Sequence, residues 1–245
     1  MVATAEQFIK TTSENEKKHG IKQYVKFSFY ITYAFLLTTA AITFIESIRT
    51  ENPTARHVLN LETTISLIAG YFYSIFLDKL AVYEKENKPI NWSEITKTRY
   101  IDWSMTTPLM LLALSLTLST NIKKVVSLYF ILLVFLLNYL MLYIGYLGEI
   151  GQIDRLWACI IGFVPFVIMF GLIYRNFILP VYNLSNYIIF SLFVGIWSLY
   201  GVFYMMEKSV QNIGLNILDC LAKCLFGLGL WAYFTKIVVL RPFTI

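Results

Sequence analysis

The stretch Ile217-Leu-Asp219-Cys-Leu-Ala-Lys223-Cys-Leu-Phe-Gly227-Leu-Gly-Leu-Trp231 places a lysine in the middle of an apolar run. Neither end of the run lies within reach of its side chain, so snorkelling to water does not relieve the charge. Asp219 stands four residues earlier, one turn away on the same face of a helix. A charged residue inside a membrane helix is costly and is retained for a use. A lysine amine held in apolar surroundings is the kind of nucleophile that condenses with an aldehyde.

The rest of the chain supplies the membrane setting. Of 245 residues, 58% are hydrophobic and 14% charged, and the mean hydropathy is +0.64. A soluble domain carries about 25% charged residues. A spanning helix needs about 20 apolar residues, and runs of that kind occur near 27–48, 60–82, 100–119, 125–147, 156–178, 186–206 and 212–237. The expected fold is therefore an all-α membrane protein, a bundle of seven transmembrane helices. Residues 27–240 form its one domain, preceded by a polar, lysine-bearing tail over 1–26 with at most one amphipathic turn. That tail lacks the apolar core and cleavage site of a signal peptide. No basic helix with interleaved aromatics is present, which excludes nucleic acid as a partner. Cys159, Cys220 and Cys224 all fall within apolar segments. An odd, buried count is no disulfide framework, and without a histidine or a third thiol Cys220 and Cys224 are packing residues rather than metal ligands.

A second set of charges answers the lysine. Arg99, Asp102 and Thr106 are spaced three and four apart, so they form one helical stripe. Lys223 and Arg99 balance Asp102 and Asp219, which is the neutrality a low-dielectric interior demands. Glu149 closes the fourth helix. Glu46, Glu62 and Glu207 read as helix ends that water reaches. Trp197, Tyr200 and Tyr204 share one face of the sixth helix, and with Trp103 they suit a flat apolar ligand beside the lysine.

These stretches resemble a known family. Arg99-Tyr-Ile-Asp102-Trp-Ser-Met-Thr106-Thr107-Pro108 is similar to the third-helix signature of the microbial (type 1) rhodopsins. Leu218-Asp219-Cys-Leu-Ala-Lys223 looks like their retinal-lysine helix, and Trp197-Ser-Leu-Tyr200-Gly201-Val-Phe-Tyr204 like their sixth. Gly145-Tyr-Leu-Gly148-Glu149-Ile-Gly151 resembles the end of the fourth helix in proteorhodopsins. The resemblance implies all-trans retinal held as a protonated Schiff base on Lys223 and isomerised by light to the 13-cis form. It makes Asp102 the primary counter-ion and proton acceptor and Asp219 the second counter-ion. Thr106 would hydrogen-bond Asp102, with Arg99 outward of the pair. Trp103 and Trp197 would sandwich the polyene, with Thr107, Met110, Met141, Gly145, Tyr200 and Tyr204 around it. An apolar Met110 at the colour-tuning position implies green absorption.

The resemblance also places the N-terminus outside, although counting lysines and arginines in the loops favours the opposite orientation. Several residues depart from the family pattern. Ala113 occupies the position where pumping relatives carry a cytoplasmic proton donor. The histidine that proteorhodopsins set beside their counter-ion is missing from Gly70-Tyr-Phe-Tyr73-Ser-Ile-Phe76. Gly201 replaces a proline, and Asn138 stands opposite Thr107. The loop near 83–97 is long, and its Asn91-Trp-Ser93 triplet fits a glycosylation acceptor.

The expected function is a light-driven outward proton pump, a photoreceptor and not an enzyme, seated in the lipid bilayer as a multi-pass protein of the cell membrane. Its ions are protons or small cations, and it would assemble as a homo-oligomer, a trimer or a pentamer. The proton path would draw on Glu207, Glu149, Glu46 and Glu62, with exit by way of Glu207 or water and a slow return from bulk water or from a remote carboxylate such as Glu46 or Glu62. A light-gated cation channel is the alternative, as is a sensory rhodopsin that signals to a separate partner.

Overall fold

The computed structural model describes the backbone of residues 2–238 and the side chains of residues 23–238. Seven helices make up the described residues: α1 (Val2–Arg49), α2 (Pro53–Lys85), α3 (Trp92–Asn121), α4 (Leu128–Glu149), α5 (Arg155–Phe177), α6 (Leu184–Tyr204) and α7 (Lys208–Phe234). Each is long and apolar enough to cross a membrane, α1 through its Gln23–Arg49 portion.

Polar caps start most of them. Asn52 Oδ1 accepts the amides of Thr54 and Ala55 at 3.0 and 3.3 Å, and Pro53 opens α2 where no amide is needed. Asn91, Ser127, Asp154 and Asn183 cap α3 to α6 in the same way. Each cap satisfies donors that the bilayer could not.

Consecutive helices pack side by side and α1 closes the ring against α7. The third helix runs through the middle: 67% of its most apolar window is buried, against 17% for α4 and α6, which turn their faces to lipid. The chain crosses seven times, so the bundle has an N-terminal end, with the α2–α3, α4–α5 and α6–α7 turns, and a C-terminal end, with the other three. A large apolar cluster from α3, α5 and α6 fills much of the C-terminal half, including Leu111, Leu114, Phe170 and Phe193. Midway along α7 the ladder slips into a π turn over Cys220–Leu225, the segment that holds Lys223.

Two expectations need correction. The backbone is helical from Val2 onward, so residues 2–26 hold more than a single turn and run on into α1. The side chains of 1–22 lie outside the described residues, as do positions 239–240 at the end of the expected domain. Glu62 is not at a helix end. The Asn52-Pro53 cap starts α2 seven residues before its apolar run begins, which puts Glu62 in the third turn, only 2% exposed.

Candidate functional site

Lys223 is the only buried lysine among the described residues. Its Nζ lies 2.7 Å from Asp102 Oδ2 and 3.6 Å from Asp219 Oδ2. Arg99 Nη1 stands 3.4 Å from the same oxygen of Asp219. All four side chains are at most 2% exposed. Breaking one partner out of such a set costs about 3–5 kcal/mol, because the other charge is left buried and unpaired.

The two carboxylates differ in what surrounds them. Asp219 Oδ1 accepts from Tyr200 Oη at 2.8 Å and from the Trp103 indole at 3.2 Å. Tyr73 Oη donates to Asp219 Oδ2 at 2.9 Å. Three neutral donors and a guanidinium therefore hold the Asp219 charge. Asp102 has the lysine and little else: the Thr106 hydroxyl points at the Asp102 carbonyl at 2.9 Å and reaches Asp102 Oδ1 only at 3.5 Å. The Asp102 carboxylate thus depends on the one cation in front of it.

Arg99 is clamped from several helices. Its Nη2 donates to Asn216 Oδ1 at 2.7 Å and Asn212 Oδ1 at 3.2 Å. Rings of Phe29, Phe76 and Trp103 lie 5.1–5.9 Å from its guanidinium carbon, within cation–π range. Asn216 also donates to Ser28 Oγ at 2.9 Å, and its carbonyl accepts from Thr32 at 3.1 Å, tying α1 to the cluster. Asn212, Asn216 and Tyr73 were not picked out by sequence reasoning. Their signal was the spacing: Asn212, Asn216, Asp219 and Lys223 follow at four, three and four residues, one continuous polar stripe on α7.

A cavity lies against the lysine between α3, α4, α5 and α6. Trp103, Thr107, Met110, Met141, Gly145, Trp197, Tyr200 and Tyr204 all line it, together with Phe166, Lys223 and Asp219. Trp103 meets Tyr200 edge to face at 5.5 Å, and Trp197 stacks on Phe193 at 4.8 Å. The buried Trp197 indole N–H has no hydrogen-bond partner among the described residues. Glycine at 145 keeps this wall thin: a Cβ there would stand 2.9 Å from the Tyr100 hydroxyl. Asn138 Nδ2 donates to Thr107 Oγ1 at 2.8 Å, joining α4 to α3 beside the cavity.

The remaining acids are distributed unevenly. Glu149 is buried at the N-terminal end, ion-paired with Lys208 and, at 3.4 Å, with Arg155, and it accepts from Gln211 at 2.8 Å. Glu207 precedes α7 there, exposed and with no side-chain capping bond. Glu46 is partly exposed near the C-terminal end of α1. Ala113 and Glu62 are both buried. The fold thus brings Lys223, Asp102, Asp219, Arg99 and Thr106 into one cluster, and leaves Glu46 and Glu207 away from it.

Residues 23–237 match the model of a family described as bacteriorhodopsin-like protein. The chain belongs to the bacteriorhodopsin-like family. Members of this microbial rhodopsin family carry retinal on a lysine. The chain is 30% identical over 228 residues to the green-light absorbing proteorhodopsin of Gamma-proteobacterium EBAC31A08, covering 85% of each. The crystal structure of viral rhodopsin OLPVRII superposes with a TM-score of 0.80 at 43% identity, over 88% of this chain and 99% of that one. Blue light-absorbing proteorhodopsin from Med12 shares the fold, with a TM-score of 0.70 at 21% identity over 87% of this chain and 98% of that one. The protein is a multi-pass membrane protein of the microbial rhodopsin family.

The site suits that cofactor on its own geometry. A long apolar slot with aromatic walls leads to one buried amine, and a carboxylate sits 2.7 Å beyond it.

Proposed function

We propose that the protein is a light-driven proton pump that moves protons outward, with its N-terminal end facing outside. The observation that carries this reading is the contrast between the two carboxylates: Lys223 Nζ touches Asp102 Oδ2 at 2.7 Å while Asp219 is already held by three donors and Arg99. Retinal, bound through Lys223 as a protonated Schiff base, supplies light absorption and an all-trans to 13-cis isomerisation.

Trp103 and Trp197 hold the slot's shape, and the Phe166 and Met110 walls exclude water from it. Asp102 Oδ2 receives the proton from Lys223 Nζ, since only 2.7 Å separates them. Asp219 keeps its charge throughout. Once Asp102 is neutral, Arg99 is the cation left facing Asp219 alone, and the guanidinium shifts towards Asn212 and the N-terminal end. Glu149, with Lys208, Arg155 and Gln211 around it, holds the exit there. Glu207 stands in open water beside that exit.

The return of a proton to Lys223 Nζ is slow and slows further as pH rises, because Ala113 offers no carboxyl on α3. Met110 in the slot wall favours green absorption. The functional unit is a homo-oligomer in the bilayer, a trimer or pentamer.

Voltage-clamp photocurrents at several potentials test the reading. Outward current at every voltage is expected. Current that reverses sign would make the protein a light-gated cation channel, and no current at any voltage would make it a sensor.

A further inference from the structure

The two ends of the bundle treat their basic residues differently. At the N-terminal end Lys26 pairs with Glu84, Lys79 with Glu94, Lys88 with Glu86, and Arg155 and Lys208 with Glu149. Of the described lysines and arginines there, only Lys85 and Lys97 lack an acid. At the C-terminal end no lysine or arginine forms an ion pair among the described residues. Arg49 and Arg56 share their turn with Glu46 and Glu51. Lys123, Lys124, Arg175 and Lys236 have no acid to share, because the sequence holds no Asp or Glu over 103–148, 156–206 or 220–245. The helix dipole draws cations to helix C-termini, but it does not clear acids from the turns that follow.

These four cations ring one spot. Asn121, at the end of α3, bonds Asn186 of α6 at 2.8 Å and Tyr233 of α7 at 2.9 Å. Lys123 and Lys124 come just after it. Lys124 Nζ reaches the Asn176 carbonyl of α5 at 3.0 Å, which brings it beside Arg175. Lys236 stands three residues beyond Tyr233. All four are exposed. Lys123 and Lys236 take left-handed turns just past α3 and α7, at φ 54° and 61°. Glycine fills such positions at less cost, which points to a use for the charged side chain.

Apolar side chains are set between the cations. Val125, next to Lys124, is 91% exposed, Tyr182 beyond Arg175 is 72% exposed, and Ile237 next to Lys236 is 64% exposed. Tyr182 packs on Tyr187 at 5.4 Å, and tyrosines of this kind sit at headgroup level. An acidic soluble partner satisfies the cations alone, whereas a lipid satisfies both sets.

We propose that Lys123, Lys124, Arg175 and Lys236 form a binding surface for the phosphate headgroups of anionic phospholipids in the leaflet at the C-terminal end. The apolar neighbours enter the acyl boundary while the amines and the guanidinium reach the phosphates. This surface serves a pump, a channel or a sensor alike, so it stands apart from the reading above. Most of the unpaired positive charge among the described residues lies at this end, which supports placing it inside.

The test uses the retinal-loaded full chain in phosphatidylcholine vesicles with a trace of spin-labelled phosphatidylglycerol or spin-labelled phosphatidylcholine. Electron spin resonance reads the share of each label held at the protein surface. The wild type holds the phosphatidylglycerol label several-fold more strongly, and the preference fades as salt rises. Each of K123Q, K124Q, R175Q and K236Q lowers it by up to about fivefold, the weight of one basic residue at an anionic surface, and the four together abolish it. K85Q/K97Q, at the other end, leaves it unchanged. Visible absorption checks that each variant still forms the pigment; should the fourfold variant form none, the single variants and the wild-type salt series decide. A preference that ignores salt, survives the four substitutions or is lost in K85Q/K97Q instead overturns the proposal. Equal retention of both labels by the wild type also overturns it and leaves these cations to an acidic segment of a partner protein.

Discussion

The two halves of the bundle, divided at Lys223, are wired differently. On the N-terminal side the charged groups are linked to one another and to neutral polar side chains. Arg99 spans Asp219, Asn212 and Asn216, Tyr73 and Tyr200 bond Asp219, and Glu149 is gripped by Lys208, Arg155 and Gln211. On the C-terminal side the core is mostly hydrocarbon, with one acid and the hydroxyls of Thr39, Ser66 and Ser115 without partners among the described residues. Cross-helix polar bonds are sparse there: Asn138 to Thr107 and Thr43 to Thr63, each at 2.8 Å, and at the far end Asn121 with Asn186 and Tyr233 at 2.8 and 2.9 Å. In the proposed pump, a proton leaving Lys223 would meet hydrogen-bonded polar side chains on one side and a mostly apolar core on the other, and that asymmetry would give a single buried amine a direction.

The comparison can be broken at its hinge. Lys223→Ala removes the amine and leaves two carboxylates against one guanidinium. Added retinal is expected to give no pigment, read by visible absorption, and the protein should lose about 3–5 kcal/mol of stability in thermal melts. Asp102→Asn takes away the acceptor but keeps the shape. The pigment should form with absorption shifted to longer wavelength, and photocurrent should vanish; retained outward current would mean that Asp219 accepts the proton instead.

Smaller changes sharpen the contrast. Ala113→Asp puts an acid into the dry half, and the return after a flash should accelerate by up to about a hundredfold. An unchanged rate would show that the barrier lies elsewhere on that side. Asn216→Leu cuts the wired half by orphaning a buried donor of Arg99, at a cost of about 1–3 kcal/mol in the melting of the pigment. Tyr73→Phe removes one hydroxyl from Asp219 and should cost about 1 kcal/mol, with the pigment still formed; a larger loss would mean that this hydroxyl also holds Arg99 and Asn216 in place.

The fold was readable in the sequence because seven apolar runs leave little room for anything else. The charge cluster was readable for a related reason: Lys223, Asp219, Asp102 and Arg99 are out of place in such runs, and their spacing fixes the helix face. Tyr73, Asn212 and Asn216 were missed because tyrosine and asparagine are ordinary enough inside membrane helices, and which of them meet depends on how α2 and α7 are rotated against α3. Glu62 was misjudged because hydropathy registers the start of an apolar run, whereas the helix starts at a polar cap. The partners of Glu149 come from the starts of α5 and α7, and no local spacing announces that meeting.

The π turn at Cys220–Leu225 has a mechanical side. An α-helix resists twist because each amide is tied to the carbonyl four residues back, and a turn wound to five gives up some of that regularity. The segment carrying Lys223 is therefore the compliant link of α7, with stiffer helix on either side. On the proposed reading, a change of shape in what Lys223 carries would be absorbed in that link first, so that Asp219 and Gly227 would keep their places while the amine between them turned.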